Sequence, residues 1–148
     1  MKDQLTPETR AAMVDYRLER AHAAIDEADY NAATGYFNLA INRLYYACFY
    51  AASALLLSRH AQAGTQNGTK TQLSMYYVRT GRLSVEHGTT YSLLFEKCQS
   101  SDYCDFAYSD VLLVNTLRPR AQAFVDAVER LTREEQAADP EREQGTEA

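Results

Sequence analysis

Asn42 and Arg43 stand at the mouth of the stretch INRLYYACFYAASALLL, residues 41 to 57, in which nearly every other side chain is apolar or aromatic. A guanidinium beside a carboxamide can clamp phosphate or carboxylate oxygens, because its planar fork donates two parallel hydrogen bonds. At helical spacing Asn42, Tyr46, Tyr50 and Ser53 form one polar-tipped stripe, with Arg43 beside it and within i+3 reach of Tyr46. Two readings of the stripe stand open. Either its tips satisfy one another inside a core, as buried polar groups generally do, or Asn42 and Arg43 floor a pocket for an anion or a nucleotide. In both cases an arginine near a buried helix needs an anionic partner, since leaving it unpaired costs roughly 3–5 kcal/mol.

Other reactive side chains are less well placed. His22, His60 and His87 are scattered without the spacing of a ligand pair, so neither a metal nor any other cofactor is expected. Cys48, Cys98 and Cys104 make an odd count with no CxxC spacing, which predicts free thiols in a reducing compartment. The 11 tyrosines, with no tryptophan, would suit base stacking. Tyr16, Tyr36, Tyr45, Tyr76, Tyr77 and Tyr91, however, fall on or near apolar faces, so core packing is expected to hold most of them.

The elements that must position these groups are all helical in period. Thr6 before Pro7 is a cap and first turn, and Val14, Leu18, Ala21, Ile25, Ala28 and Ala32 then recur at steps of four and three, predicting a helix over 7–34. Gly35 breaks it, and a second helix is expected over 36–60. AQAGTQNGT reads as a loop. A short third helix over 69–80 is expected to stop at Gly81, and a fourth over 89–101. Ser109 or Asp110 can cap a final segment carrying Val114, Leu117, Ala121, Phe124, Val128 and Leu131, which Pro119 is expected to kink or split. No stretch alternates with period two. The expected fold is all-α, an antiparallel up-down four-helix bundle with an additional short helix.

Composition bounds the function. A chain of 148 residues with 46% hydrophobic content supports one domain. The formal charge of −5 resides wholly in residues 134–148, which hold six acids against Arg142. A helical domain over 1–133 is therefore neutral and has no global field to attract nucleic acid, while 134–148 reads as an acidic, disordered tail. The run Leu44 to Leu57 falls short of the ~20 residues that span a bilayer, and MKDQLTPETR has no apolar leader region. A cytoplasmic protein with no membrane association is expected.

Taken together, NAATGYFNLAINRLYYACFYAASALL, then TQNGTKTQLSMYYVRTGRL, then YSLLFEKCQSSDYCDF resemble the HEPN domain (higher eukaryotes and prokaryotes nucleotide-binding), in its small stand-alone bacterial and archaeal branch. The resemblance covers roughly residues 10 to 131. Its most specific marks are Asn42-Arg43-Leu44-Tyr45-Tyr46-Ala47, Val78-Arg79-Thr80-Gly81, and Ser101-Asp102-Tyr103 with Asp105-Phe106. It implies a helical homodimer, often encoded beside a minimal nucleotidyltransferase in a toxin–antitoxin-like pair. It also implies a shared site of Asn42, Arg43 and Tyr46 with the Gln99-x-x-Asp102-Tyr103 motif, where Asp102 is the expected partner of Arg43.

Two departures bear on that site. Gln66 stands where relatives carry histidine, and Cys98 where they carry arginine ahead of the Gln99 motif, and both changes remove groups that could bind phosphate or move a proton. Ribonuclease relatives further pair an arginine and a following polar residue with a histidine four to six positions on. Arg17 and His22 have that separation but point about 140° apart on a helix. Arg82 and His87, expected in the loop after Gly81, could converge, though Leu83 follows the arginine. The favoured expectation is a weakly catalytic or non-catalytic component that binds a nucleotide or docks a nucleotidyltransferase. A metal-independent endoribonuclease acting on RNA through Arg82 and His87, and a purely structural dimer, are the alternatives.

Overall fold

The computed structural model describes residues 5–61, 63–99 and 110–140. Within them the chain forms α1 (Pro7–Ala33), α2 (Phe37–Ser58), α3 (Gln66–Leu73), α4 (Val85–Gln99) and α5 (Val111–Ala138), and the described residues contain no strand.

Short polar side chains set the starts of α1, α3, α4 and α5. Thr6 accepts from the Thr9 N–H at 3.0 Å, and Asp110 accepts from the Leu113 N–H at 2.9 Å. Gly35 turns α1 into α2 at a φ of 87°, a region where a Cβ would be strained. Thr65 caps α3 by accepting from the Gly68 N–H at 2.9 Å. The expected loop over 61–69 is therefore shorter than the composition suggested, because one threonine cap outweighs the Gly and Asn around it. A single π turn, Ser74–Val78, extends α3, closed by the Arg79 N–H to the Ser74 carbonyl at 2.9 Å. It swings Tyr77 fully inside.

α4 begins four residues before the expected start. Ser84 accepts from the His87 N–H at 3.2 Å, so His87 lies in the first helical turn and not in a loop. Gly88 lies in this early part of the helix, and a Cβ there would meet Val78 at a tight 3.2 Å. α5 runs through Pro119 unsplit. Arg118 binds Asp29 through two bonds of 3.1 and 2.9 Å and Arg120 binds Thr90 at 3.2 Å, anchoring the helix on either side of the proline. α5 also continues to Ala138, past the expected boundary at 133.

Cross-helix partners fix directions. Arg10 reaches the Leu57 carbonyl and Arg17 the Ser53 carbonyl, so α1 and α2 run antiparallel. Arg133 binds Asp15 and Arg118 binds Asp29, so α5 is antiparallel to α1. Tyr45 meets Phe95 on α4, while His87 and Thr90 at the start of α4 meet Phe124 and Arg120 on α5, so α4 opposes α5 as well. α2 packs against α1, α3, α4 and α5. It buries Ala40, Ala47, Ala51, Ala52 and Ala54 along with Leu44, Tyr45 and Leu55. Covering it on all these sides satisfies a helix that is apolar around most of its circumference.

The alanines decide how closely α1 approaches, since α1 buries Ala21, Ala24 and Ala28. Ala51→Leu adds volume where none is free. A destabilisation of about 1–3 kcal/mol is expected, measured by urea unfolding, and an unchanged midpoint would show that the α1–α2 contact is looser than described.

Candidate functional site

The α2 stripe folds into a connected network. The Arg43 Nη2 and Nε donate to the Asn42 Oδ1 at 2.8 and 3.2 Å, and Nη1 donates to the Glu27 Oε1 at 3.3 Å. The guanidinium carbon lies 4.9 Å from the centroid of the Tyr46 ring. Gln66 extends the chain across to α3, donating to the Tyr46 hydroxyl at 3.3 Å while its Oε1 accepts from the Tyr45 hydroxyl at 2.9 Å. Four expected site residues, Asn42, Arg43, Tyr46 and Gln66, are thus brought together. Among the described residues the carboxylate at Arg43 is Glu27 of α1, which the sequence reading missed; Glu27 lies six residues before the end of α1 at Ala33, and no spacing rule links it to position 43.

Asp102 and Tyr103 lie outside the described residues. Gln99 ends α4. Because α4 opposes α5, and α5 and α2 both oppose α1, α4 runs antiparallel to α2 and its last turn points toward the N-terminal end of α2, where Asn42 and Arg43 sit. Cys98 is half-buried, packed against the core from the apolar side of α4, where an arginine would be costly.

Behind the network lies an aromatic cluster. The Tyr45 ring is fully buried and meets Tyr46 at 5.1 Å and Phe49, Tyr91 and Phe95 at 6.1 Å, all but Phe49 edge-on. Burial holds the Tyr45, Tyr77 and Tyr91 phenols well above their ordinary value of 10.0 and pushes the Cys48 thiol far up. Cys48 is an inert core residue.

Arg82 and His87 share a different region. Both border a cavity of about 260 Å³, together with Ser84, Arg130 and Glu134. Leu83 is buried, and its N–H binds the Tyr77 carbonyl at 2.9 Å, so the apolar residue after the arginine is an anchor that leaves Arg82 and Ser84 facing out. Arg82 is held by Glu135 at 3.3 Å and Glu134 at 3.8 Å, and its guanidinium lies 5.2 Å from the Tyr77 ring centre. The Tyr77 hydroxyl donates to Glu135 as well. Two acids assigned from sequence to a solvated tail therefore close on the candidate cation. The other spacing behaves as its helical angle requires: Arg17 turns to Ser53 on α2, and His22 to Glu129 on α5 at 2.8 Å. Among the described residues no cluster of His, Cys, Asp or Glu is arranged to hold a metal ion.

Gln66→Leu strands the buried Tyr45 hydroxyl and should cost about 1–3 kcal/mol, while adding Tyr45→Phe should recover part of the loss. Thermal melts of both singles and the double test this, and strict additivity would break the Tyr45–Gln66 link. Because the three phenols have folded values above 10.0, the unfolded chain loses their protons first as pH rises. Stability is therefore full below pH 10 and should fall above it. Urea midpoints that hold constant through that range would contradict the burial of these rings.

The described helices include none long and apolar enough to cross a membrane. A UPF0332 protein of Thermotoga maritima is 30% identical over 119 residues, covering 80% of this chain and 90% of that protein. A protein of Methanocaldococcus jannaschii that bears the name "Putative toxin MJ0142" is 23% identical over 86 residues, 58% of each chain. The family model of the HEPN domain matches residues 14–132, which take in the whole α2 network, the Arg82 cavity apart from Glu134, and most of α5. With that extent of match, the chain belongs to the HEPN domain family.

Proposed function

We propose that this protein is the HEPN component of a toxin-like two-gene module, a cytoplasmic homodimer that binds a nucleotide or docks a minimal nucleotidyltransferase and has no strong catalysis of its own. The observation that carries this reading is the state of Arg82. A phosphate clamp for RNA cleavage needs a cation free to meet the scissile group. Here Glu134 and Glu135 neutralise that cation and Tyr77 backs it, so an arriving phosphodiester must displace two carboxylates. The toxin in the archaeal relative's name supports the module without specifying its chemistry.

Exposed Leu39 on α2 and Val111 and Leu112 on α5 support a dimer built from the second and last helices. Light scattering at micromolar concentration should give twice the 16.7 kDa chain mass, and a monomer would remove the homodimer.

The ribonuclease reading has one observation in its favour, the cavity that Arg82, Ser84, His87 and Arg130 share. The two readings separate in one assay. Purified protein with single-stranded RNA and a chelator is expected to leave the RNA intact. Clear cleavage that His87→Ala abolishes would reverse the ranking and make Arg82 the clamp and His87 the proton-transfer group.

A further inference from the structure

Tyr16 and Arg17 belong to neither region above, and the structure does not treat Tyr16 as core. Its ring is 62% exposed. It borders a groove of about 800 Å³ between α1 and α2, lined also by Arg17, Arg20, Phe49, Tyr50 and Ser53. We infer that this groove is a binding site for a nucleoside phosphate, with the base laid on Tyr16 or Tyr50 and the phosphate met by Arg17 and Arg20. The assignment rests on the nucleotide-binding reading and gives it a place on the molecule.

Three observations support it. First, the groove is locally cationic in a chain of net charge −5, with two arginines against Glu8 among its lining residues. Second, the arginines are set among rings. Arg20 carries its guanidinium 5.4 Å from the Tyr50 ring centre and bonds the Tyr50 hydroxyl, which raises its pKa above the ordinary value. Tyr16 stands one helical turn before Arg20 and on the same face. Third, Arg17 is fixed. Its Nη1 donates to the Ser53 hydroxyl at 2.8 Å and carbonyl at 3.3 Å, and burial lowers its pKa, so part of its desolvation has already occurred before any anion arrives. Arg17 makes these bonds through Nη1, whereas in the Asn42 network Arg43 commits Nε and Nη2 to Asn42 and Nη1 to Glu27. Aromatic faces beside guanidinium groups suit bases of any identity, because every base has a π-face.

The test is calorimetric titration of the full chain with ATP and, in a separate arm, with a short oligouridylate. Binding of ATP marks the free nucleotide as the ligand, and binding of the oligomer alone marks a strand; either supports the groove if the variants respond. Tyr16→Ala removes an exposed ring without touching the core and is expected to weaken binding by about fivefold or more. Arg20→Gln should weaken it and flatten its salt dependence. Tyr30→Ala, also an exposed α1 tyrosine but outside the groove, should leave affinity unchanged. Unchanged ATP affinity in both Tyr16→Ala and Arg20→Gln would overturn the groove while leaving nucleotide binding standing. No binding of either probe by the wild type would overturn both.

Discussion

Helix α2 can bury alanine on one flank and tyrosine on the other only if its neighbours approach at different distances. Both α1 and α2 bury small residues, Ala21, Ala24 and Ala28 on the first and Ala47, Ala51 and Ala54 on the second, and Ala54 packs with Val14 and Leu18 of α1. Toward α3 and α4 the contact is made by rings, with Tyr45 at the centre. A ring of that size, fully buried, brings a hydroxyl inside, and a buried hydroxyl without an acceptor is costly. Gln66 supplies the acceptor. The requirement reaches further along the chain, because Gln66 stands at the first position of α3 and its place depends on the Thr65 cap. Glutamine meets this requirement with a side chain that does not titrate.

Much of the helical order was legible because it rests on local signals. Thr6 with Pro7, Gly35 and Asp110 act within a turn of where they stand, and α1, α2 and α5 follow them closely. Errors gathered where a tertiary contact outweighs a local one. Residues 85–88 fall outside the expected fourth helix, yet they belong to α4, where Gly88 packs close against Val78. Pro119 reads as a break, yet Asp29 and Thr90 hold the residues on either side. Of the site, the α2 members were visible through period and the resemblance. Glu27, Glu134 and Glu135 were not, because a carboxylate 16 positions from Arg43 or more than 50 from Arg82 leaves no periodic trace. Tyr16 was misplaced for the opposite reason. It stands two positions from both Val14 and Leu18 of the apolar stripe, and two residues of rotation, about 200°, carry it to the solvent side.

Charge in this protein works at contact range. Asp15, Asp29 and Glu129 of α1 and α5 meet Arg133, Arg118 and His22 across one seam, and such partly exposed pairs contribute little each, about 0–1 kcal/mol. Paired in this way, these groups leave little net field to draw in a polyanion from a distance.

Glu27 ties the two polar regions of the α1–α2 face together. One of its oxygens takes Arg43 at 3.3 Å and the other lies 3.7 Å from Arg20. The carboxylate is therefore shared between the α2 network and the groove, and neither cation holds it alone. An anion reaching Arg20 competes for that cation, weakens its claim on Glu27 and leaves the carboxylate more fully to Arg43. Arg43 is stacked on Tyr46, and Tyr46 is bonded through Gln66 to Tyr45. A series of contacts therefore runs from Arg20 through Glu27, Arg43, Tyr46 and Gln66 to Tyr45 in the core. Because Arg20 and Arg43 are partly exposed, the exchange is small in energy. It needs no movement of a helix, only a change in which of two arginines one carboxylate serves.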